Sequence, residues 1–229
     1  MPASLIVFDL DGTLVDTNRD LIPALNHAIA GEGIAPVGVD DVGHVVGEGA
    51  RRMIERAFEL RGATVPANRL DLLHRTFLKH YEAHIADLSQ PYPGLLDAMD
   101  RLAADGWRFA VCTNKVEHLS RRLLDLLALA PRFDAIAGAD TFGVRKPHPD
   151  HIVRTIEAAG GDPSRTVMVG DSVNDIAAAK AVPVPVVAVD FGYTDRPVRD
   201  LGPDAVISHY RELPDTAARL LDRSAASHI

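Results

Sequence analysis

The sequence predicts an α/β fold: a Rossmann-like parallel sheet with helices on both faces and an all-helical segment inserted after the first strand. Two patterns predict it. In the second half of the chain, short apolar runs alternate with amphipathic helical segments, and these runs are continuous, as in parallel strands covered on both faces. Residues 17–91, in contrast, show helical periodicity with no strand signal. A chain of 229 residues suits one good-sized domain with such an insertion.

The first predicted strand is a short apolar run, residues 5–8, which ends at two carboxylates, Asp9 and Asp11. Residues two apart in an extended segment point the same way, so both carboxylates can address one site. Two like charges so close need a cation between them, or one must hold a proton. Asp11-Gly12 between apolar runs is also a type I′ turn signal, so a β-hairpin is the alternative interpretation of this stretch.

The inserted segment contains three predicted helices. Each has apolar residues spaced three or four apart on one face, and the first two end at glycines. They cover about residues 21–29, 51–60 and 69–87. We therefore expect residues 17–91 to form a helical cap domain that closes over the edge of the sheet, with hinges near residues 16 and 90–94.

The remaining elements follow the turn signal Pro91-Tyr92-Pro93-Gly94. Strands are predicted at 108–112, 133–137, 166–169, 185–189 and, from a weaker pattern, 205–207; helices are predicted at about 94–105, 115–129, 149–160, 173–181 and 211–223. The α/β catalytic core should thus consist of residues 1–16 and 92–229, with the cap between them.

Composition limits the possible partners. With 24 basic and 32 acidic residues, the formal net charge of -8 argues against a nucleic acid or an anionic membrane as the main partner. An anionic substrate would then need a metal ion or a lysine beside it. The single cysteine, Cys112, lies in an apolar run, which predicts a buried core residue, no intramolecular disulfide and a reducing compartment. No secretory or membrane-spanning pattern is visible, so the expected location is the cytoplasm.

Reactive residue types follow several of the predicted strands. In an open parallel sheet, ligands bind beyond the carboxyl ends of the strands, so these positions are where chemistry is expected. The blocks are Asp9 and Asp11 after the first strand, Thr113-Asn114-Lys115 after the second, Lys146 after the third, and Gly170-Asp171-Ser172-Val173-Asn174-Asp175 after the fourth.

Each block also has a purely structural interpretation. Thr113 and Asn114 could cap the helix that follows them. Gly170-Asp171-Ser172 could be a turn and an N-cap, and Lys146 could be a solvated surface charge. The coincidence favours a site, because blocks of the required chemistry occur in order, each at the end of its own strand.

The blocks 9–16, Thr113-Asn114, Lys146-Pro147 and 170–175 closely resemble the four motifs of the haloacid dehalogenase-like superfamily. The resemblance covers essentially the whole chain. The helical insertion is similar to the cap domain of that superfamily, in the position found in its phosphoglycolate phosphatase-like subfamily. Gly47-Glu48-Gly49-Ala50 and Pro91-Tyr92-Pro93-Gly94 are softer signals for the same subfamily.

The resemblance implies a magnesium-dependent phosphate monoester hydrolase. In that mechanism Asp9 attacks phosphorus to form an aspartyl-phosphate, and Asp11 protonates the leaving group and later activates water. Thr113 and Asn114 hold phosphoryl oxygens, and Lys146 offsets the negative charge. The implied Mg²⁺ ligands are Asp9, the backbone carbonyl of Asp11, and Asp171. Asp175 would either bind the metal directly or support these ligands without contacting the metal.

Specificity must come from the cap, because the strand ends are committed to phosphate and metal. The cap segment expected to reach the substrate is Gly47-Glu48-Gly49. Its glycines permit close approach of the backbone to a ligand, and the helix that follows begins with free N–H groups that can bind an anion. Arg51, or its neighbour Arg52, could add a cationic fork for a carboxylate, although a solvated arginine is an equally good interpretation. The resemblance implies 2-phosphoglycolate as substrate.

Several alternatives stay open at this stage. A sugar-phosphate phosphatase or a phosphomutase of the superfamily would carry the same motifs. From another class, a phospho-accepting signalling domain also uses an aspartate at a strand end with a lysine and Mg²⁺, and a binding-only member of the superfamily would keep the fold. The expected partner is a small phosphorylated metabolite, with no nucleic acid or membrane partner, and the protein is expected to be a monomer or a homodimer.

Overall fold

A computed structural model describes residues 3–194 and 196–226, and the side chains of these residues up to 223. The strands are β1 (Leu5–Phe8), β2 (Val15–Asp16), β3 (Gln90–Pro91), β4 (Arg108–Cys112), β5 (Ala135–Ala137), β6 (Thr166–Gly170), β7 (Val186–Val189) and β8 (Ala205–Ile207). The helices are α1 (Asn18–Ile29), α2 (Val39–Val42), α3 (Ala50–Glu59), α4 (Ala67–Ala83), α5 (Leu95–Ala104), α6 (Glu117–Leu126), α7 (Pro149–Ala158), α8 (Val173–Lys180) and α9 (Leu213–Ala226). Short 3₁₀ segments are Gly43–Glu48, Ala130–Arg132, Pro163–Arg165, Val198–Leu201 and Tyr210–Glu212.

The main sheet has six parallel strands in the order β5-β4-β1-β6-β7-β8. The first strand lies in the middle, with Leu5 aligned to Arg108 of β4 on one side and to Thr166 of β6 on the other. The predicted α/β fold is therefore confirmed. The hairpin alternative for the stretch around Asp11 is wrong, because both edges of β1 are already occupied by parallel partners.

Helices cover both faces of this sheet. One face packs against α5, α6 and α9 through a large buried cluster that includes Phe8 and Val169, and the other packs against α7 and α8 through a cluster that includes Val7 and Met168. Cys112 is buried in the second cluster, as its apolar surroundings predicted. Because side chains alternate between the two faces, most strand positions contribute to one of the two apolar clusters, and reactive groups are left for the strand ends.

The segment after β1 is helical. Its longest helix, α4, contacts α1 and α3 and buries Leu73, Phe77 and Tyr81. Where this segment leaves and rejoins the core, β2 and β3 form a small antiparallel pair with Asp16 opposite Gln90. The expectation of no strand within residues 17–91 is thus wrong at its end, since two residues are too few to give an alternating pattern. The division into a cap and a core domain stays a prediction.

Several boundaries differ from the prediction, and three of these differences have a local reason. Helix α4 ends at Ala83 rather than near residue 87, because the chain turns there and the N–H groups of Leu88 and Ser89 donate to the buried Asp20 carboxylate, at 3.1 and 2.7 Å. Helix α6 begins at Glu117 rather than 115, because the Lys115 N–H donates to Thr113 Oγ1 in a turn. A 3₁₀ segment at residues 130–132 delays β5 to residue 135.

No helix in the described part of the chain is both long enough and apolar enough to cross a bilayer.

Candidate active site

The carboxyl ends of neighbouring strands bring the sequence-predicted residues together. Asp9 follows the central strand β1, Asp171 follows β6, and Asp175 lies in the first turn of α8. Each of these three aspartates is buried, and they offer carboxylate oxygens that lie within 4.8 Å of one another. The edge of the sheet therefore holds a compact buried acidic cluster.

Lys146 is the cation of this cluster. Its Nζ lies 2.8 Å from Asp9 Oδ1 and 2.6 Å from Asp175 Oδ1, and it also donates to the backbone carbonyl of Cys112 at 2.6 Å. Only 2 % of the residue is exposed, so the alternative of a solvated surface charge is wrong. One lysine thus links the ends of β1 and β4 to the start of α8.

The charges of the cluster are not balanced by Lys146 alone. Burial, together with the nearby Asp175 and Asp11 carboxylates, raises the pKa of Asp9 to about 7, although Lys146 acts in the opposite direction. Burial likewise raises the pKa of Asp171 well above its ordinary value, with Asp9 and Asp175 adding to the shift. For Lys146, burial works against the charged form, but the two neighbouring carboxylates prevail and raise its pKa. Further positive charge in the site would favour the ionised forms of Asp9 and Asp171.

Asp171 is fixed by two donors and by the shape around it. The Thr13 hydroxyl donates to Oδ1 at 2.9 Å, and the Tyr193 N–H donates to Oδ2 at 2.6 Å. Two glycines leave the necessary space: a Cβ on either Gly12 or Gly192 would lie 2.5 Å from Asp171 Oδ2. Neither glycine was singled out in the sequence, because close approach between distant segments leaves no local pattern.

Asp175 is held by the start of its own helix. Its Oδ2 accepts from the Ser172 N–H at 2.9 Å and from the Ser172 hydroxyl at 2.6 Å, while Oδ1 accepts from Lys146. Ser172 is the N-cap of α8, so the capping interpretation of this block is correct for Ser172, beside the role of its neighbour Asp171 in the cluster. Both oxygens of Asp175 are therefore engaged within the protein.

This donor set fits a divalent cation. The cluster combines three buried carboxylates with a single lysine, and hard oxygen donors are the ligands that cations such as Mg²⁺ prefer. A bound cation would supply the positive charge that the raised carboxylate pKa values call for. The cluster could accordingly hold a metal ion.

Asp11 is oriented differently from the other predicted aspartates. Its carboxylate does not belong to the buried cluster; instead Oδ1 accepts from Lys115 Nζ at 2.8 Å. The Lys115 ammonium also lies 4.6 Å from the centre of the Tyr81 ring of α4. Burial alone would lower the pKa of Lys115, but the net shift is upward because Asp11 and Tyr81 favour the charged form. The sequence placed Lys115 at a strand end without identifying it as a partner of Asp11.

Thr113 and Asn114 lie beside the cluster and do not cap α6, whose N-cap is Val116. The Asn114 amide donates to the backbone carbonyl of Lys146 at 2.9 Å and to that of Gly47 at 3.2 Å. The capping interpretation of these two residues is therefore wrong. Instead, Asn114 links the end of β4 to the Lys146 loop and to the 3₁₀ segment that precedes α3.

Two adjoining cavities of about 600 and 320 Å³ open from this edge of the sheet. Asp9, Asp11 and Lys146 line both, together with Gly47, Glu48 and Arg51 from the segment named by the sequence; Gly49 lines the smaller one only. Arg51 pairs with Asp71 of α4 at 2.7 Å, and Arg52 pairs with Glu59 at 2.6 Å. Both candidate arginines are therefore engaged within the inserted helical segment, and neither guanidinium is free.

Known proteins resemble this chain over nearly its full length. It is 50% identical to a phosphoglycolate phosphatase of Agrobacterium fabrum, covering 97% of this chain and 96% of that protein. It is 48% identical to a phosphoglycolate phosphatase of Mesorhizobium japonicum, covering 98% and 99%. Among solved structures, a predicted phosphoglycolate phosphatase from Haemophilus somnus 129PT superposes with a TM-score of 0.86 at 27% identity, covering 93% of this chain and 97% of that one.

The family model named haloacid dehalogenase-like hydrolase matches residues 3–182. This range includes all four sequence blocks and the strand ends that carry Asp9, Thr113, Lys146 and Asp171. The chain belongs to the haloacid dehalogenase-like hydrolase family.

Proposed function

We propose that this protein is a Mg²⁺-dependent phosphoglycolate phosphatase, which hydrolyses 2-phosphoglycolate to glycolate and phosphate. The observation that carries the proposal is the contact of Lys146 with Asp9, at 2.8 Å, beside two further buried carboxylates. Asp9, Lys146 and Asp171 also line one cavity. This arrangement suits transfer of a phosphoryl group to a carboxylate. The names of the relatives from Agrobacterium fabrum and Mesorhizobium japonicum support the choice of substrate.

In the first step, a carboxylate oxygen of Asp9 attacks phosphorus. The bond from phosphorus to the ester oxygen breaks, and Asp11 gives its proton to the departing glycolate oxygen. Lys146 offsets the negative charge that Asp9 and the phosphoryl group share, and the Thr113 hydroxyl and the Asn114 N–H hold phosphoryl oxygens. The product of this step is an aspartyl-phosphate on Asp9.

In the second step, a water molecule attacks the phosphorus of the aspartyl-phosphate. Asp11, which is now a carboxylate, takes the proton from this water, and the bond from phosphorus to Asp9 breaks. Phosphate leaves and both aspartates regain their starting states. Asp11 lines both cavities and is held there by Lys115, which is a suitable position for a group that must act on both the leaving group and the water.

The metal site of this proposal consists of Asp9, Asp171 and the backbone carbonyl of Asp11. In this proposal Asp175 does not bind the metal directly, because its two oxygens already accept hydrogen bonds from Lys146 and Ser172. When bound, Mg²⁺ neutralises the carboxylates and the phosphoryl oxygens, so that two anionic groups can approach each other.

The substrate is tested by assaying phosphorylated metabolites side by side with Mg²⁺. We expect 2-phosphoglycolate to have a higher kcat/KM than hexose, pentose or amino-sugar phosphates, because only a small carboxylated ester offers a second anionic group. A clear preference for any sugar phosphate would overturn the choice of substrate. Phosphorylation of the protein without continued release of phosphate would instead indicate a phospho-accepting domain.

The nucleophile is tested separately with Asp9→Asn, which keeps the size of the side chain but removes its charge. We expect this variant to lose turnover of both 2-phosphoglycolate and p-nitrophenyl phosphate while it keeps the circular dichroism spectrum of the parent. Asp125→Asn, an exposed position on α6, is the matched control and should behave as the parent. Activity of Asp9→Asn within about tenfold of the parent, or 1.4 kcal/mol in barrier, would overturn the assignment.

A further inference from the structure

We infer that Arg145 binds the carboxylate of the substrate and so makes the enzyme select a carboxylated phosphate ester. This inference rests on the proposed function, since it names the residue that recognises one end of the proposed substrate. It differs from the interpretation based on sequence, which expected Arg51 or Arg52 of the cap in this role.

Arg145 lines the same two cavities as the proposed phosphate site. It lines both cavities together with Asp9, and it directly precedes Lys146, whose ammonium contacts the Asp9 carboxylate. Consecutive Cα atoms lie about 3.8 Å apart across a trans peptide, so the Arg145 side chain leaves the backbone next to Lys146, the residue that faces the phosphate in the proposed mechanism. In 2-phosphoglycolate a single methylene separates the carboxylate from the ester oxygen, and so the cation for the carboxylate must lie close to the phosphate site.

The loop that carries Arg145 is held on both sides. The Arg145 carbonyl accepts from the His148 N–H at 2.9 Å, and the Lys146 carbonyl accepts from the Asn114 amide at 2.9 Å. Lys146 itself is buried with its ammonium in three contacts. The backbone is thereby fixed, while the Arg145 side chain is exposed at the cavity.

The other cations around the cavities already have partners. Arg51 pairs with Asp71, Arg52 with Glu59, and Lys115 with Asp11. Within the described part of the chain, no ion pair or side-chain hydrogen bond engages the Arg145 guanidinium. Its full fork of donors is therefore open to a ligand.

The chemistry of an arginine suits this role. A planar guanidinium can donate two parallel hydrogen bonds to a carboxylate, which gives both affinity and orientation. Glu48 also lines both cavities, and this anion would repel a carboxylate, so the substrate carboxylate needs a cation beside it. Arg145 supplies that cation without breaking an existing ion pair, whereas Arg51 would first have to leave Asp71.

The test compares 2-phosphoglycolate with ethyl phosphate, in which a methyl group replaces the carboxylate. We expect Arg145→Gln to lower kcat/KM for 2-phosphoglycolate by about 10- to 100-fold, the loss of a charged hydrogen-bonded pair, mainly through KM. Its kcat/KM for ethyl phosphate should change by less than about threefold. Arg122→Gln, an exposed arginine of α6 that lines neither cavity, serves as the matched control and should leave both substrates unaffected.

The possible results separate the inference from the proposed function. A parent enzyme that does not prefer 2-phosphoglycolate over ethyl phosphate would overturn both. A parent that prefers it, with a preference that Arg145→Gln retains, would overturn the inference alone, and loss of the preference in Arg51→Gln would then assign the role to the cap. Calorimetric titration of 2-phosphoglycolate into Asp9→Asn and Asp9→Asn/Arg145→Gln checks binding without turnover; equal affinities would also refute the inference.

Discussion

Lys115 Nζ donates a hydrogen bond to Asp11 Oδ1 at 2.8 Å, which joins the end of β4 to the loop after β1. The same ammonium lies 4.6 Å from the centre of the Tyr81 ring, which α4 of the inserted segment contributes. The side chains of Lys115 and Asp11 are only 7% and 11% exposed, so water screens the pair weakly. One buried lysine thus holds Asp11 at the place where the helical segment meets the sheet.

The first prediction is that Lys115→Met slows catalysis by releasing Asp11. Methionine keeps the length of the side chain, but it cannot donate to the carboxylate. If Asp11 is the acid and base, its misplacement should lower kcat by roughly 10- to 100-fold, within the range that positioned acid–base groups contribute. Steady-state assays with p-nitrophenyl phosphate measure kcat.

Lys79→Met is the matched control for this variant, because Lys79 is an exposed lysine on α4. It should retain the kcat of the parent. Rapid-quench trapping of the phosphoenzyme refines the test, since a misplaced Asp11 slows both formation and loss of the intermediate. An unchanged kcat in Lys115→Met would mean that Asp11 keeps its position without this lysine.

The second prediction concerns the metal ion. Chelation should remove activity and Mg²⁺ should restore it, whereas Ca²⁺ should inhibit because its larger and looser coordination disturbs the reacting geometry. A cation that relieves repulsion among Asp9, Asp171 and Asp175 should also raise Tm. A Mg²⁺ concentration of about 100 Kd gives roughly 2.7 kcal/mol, or about 5–10 °C for a chain of this size.

Asp171→Asn should lose this thermal shift together with activity, while Asp125→Asn should keep both, since Asp125 is exposed and outside the cluster. Differential scanning calorimetry with and without Mg²⁺ gives a measurement that does not depend on turnover. Full activity in a metal-free preparation would refute the prediction.

The local pattern of the sequence predicted the strands of the main sheet and the position of several candidate-site residues at their ends. The runs at 5–8, 108–112 and 205–207 match the observed strands residue for residue, because each is a short apolar stretch between polar or turn-forming residues. The polar blocks could be found in the sequence because each directly follows a predicted strand. The carboxyl ends of parallel strands lie at the same edge of the sheet, so these blocks were expected to lie together. The local sequence pattern was therefore enough to predict an element when the residues of that element alone specify its structure.

What the sequence could not predict depends on contacts between distant segments. The pairing of Lys115 with Asp11 joins residues 104 positions apart, and that of Arg51 with Asp71 joins helices α3 and α4. In both cases the partner is set by the fold and not by neighbouring residues. The short pairing of β2 with β3 was missed likewise, because two residues carry no periodicity.

The third prediction uses the close approach of Gly192 to Asp171. A Cβ at residue 192 would lie 2.3 Å from Asp171 Cβ and 2.5 Å from its Oδ2, distances that force one of the two segments to move. Gly192→Ala should therefore displace Asp171, lower kcat/KM by about 100-fold or more, and weaken the Mg²⁺-dependent rise in Tm, because a small misplacement of a reacting group is costly.

Gly31→Ala is the control for this substitution, because a Cβ there would meet nothing within 4 Å. It should keep the activity of the parent and change stability by less than about 1 kcal/mol. Titration of Mg²⁺ followed by the change in Tm compares the three proteins. If the Gly192→Ala enzyme kept the metal affinity of the parent, the close packing of residue 192 against Asp171 would not be needed for metal binding, and the prediction would be wrong.

The last prediction concerns the connection between the inserted segment and the core. Asp20 of α1 is 4% exposed, and its carboxylate accepts from the N–H groups of Leu88 at 3.1 Å and Ser89 at 2.7 Å, just before β3. Asp20→Ala would leave these donors without a partner in a buried place. The free energy of unfolding should fall by about 2–5 kcal/mol. Tm should then fall by roughly 5–15 °C.

Asp20→Asn separates the loss of hydrogen bonds from the loss of charge. Its amide retains one acceptor oxygen, so it should keep part of the stability and melt between the parent and Asp20→Ala. Asp125→Ala removes an exposed carboxylate of α6 and should melt within about 2 °C of the parent, because surface substitutions change stability by about 0.5 kcal/mol or less. Urea denaturation at neutral pH gives the free energies. If Asp20→Ala were as stable as the parent, water would satisfy the N–H groups of Leu88 and Ser89 in the variant. Asp20 would then not be the residue that stabilises the connection between the inserted segment and β3.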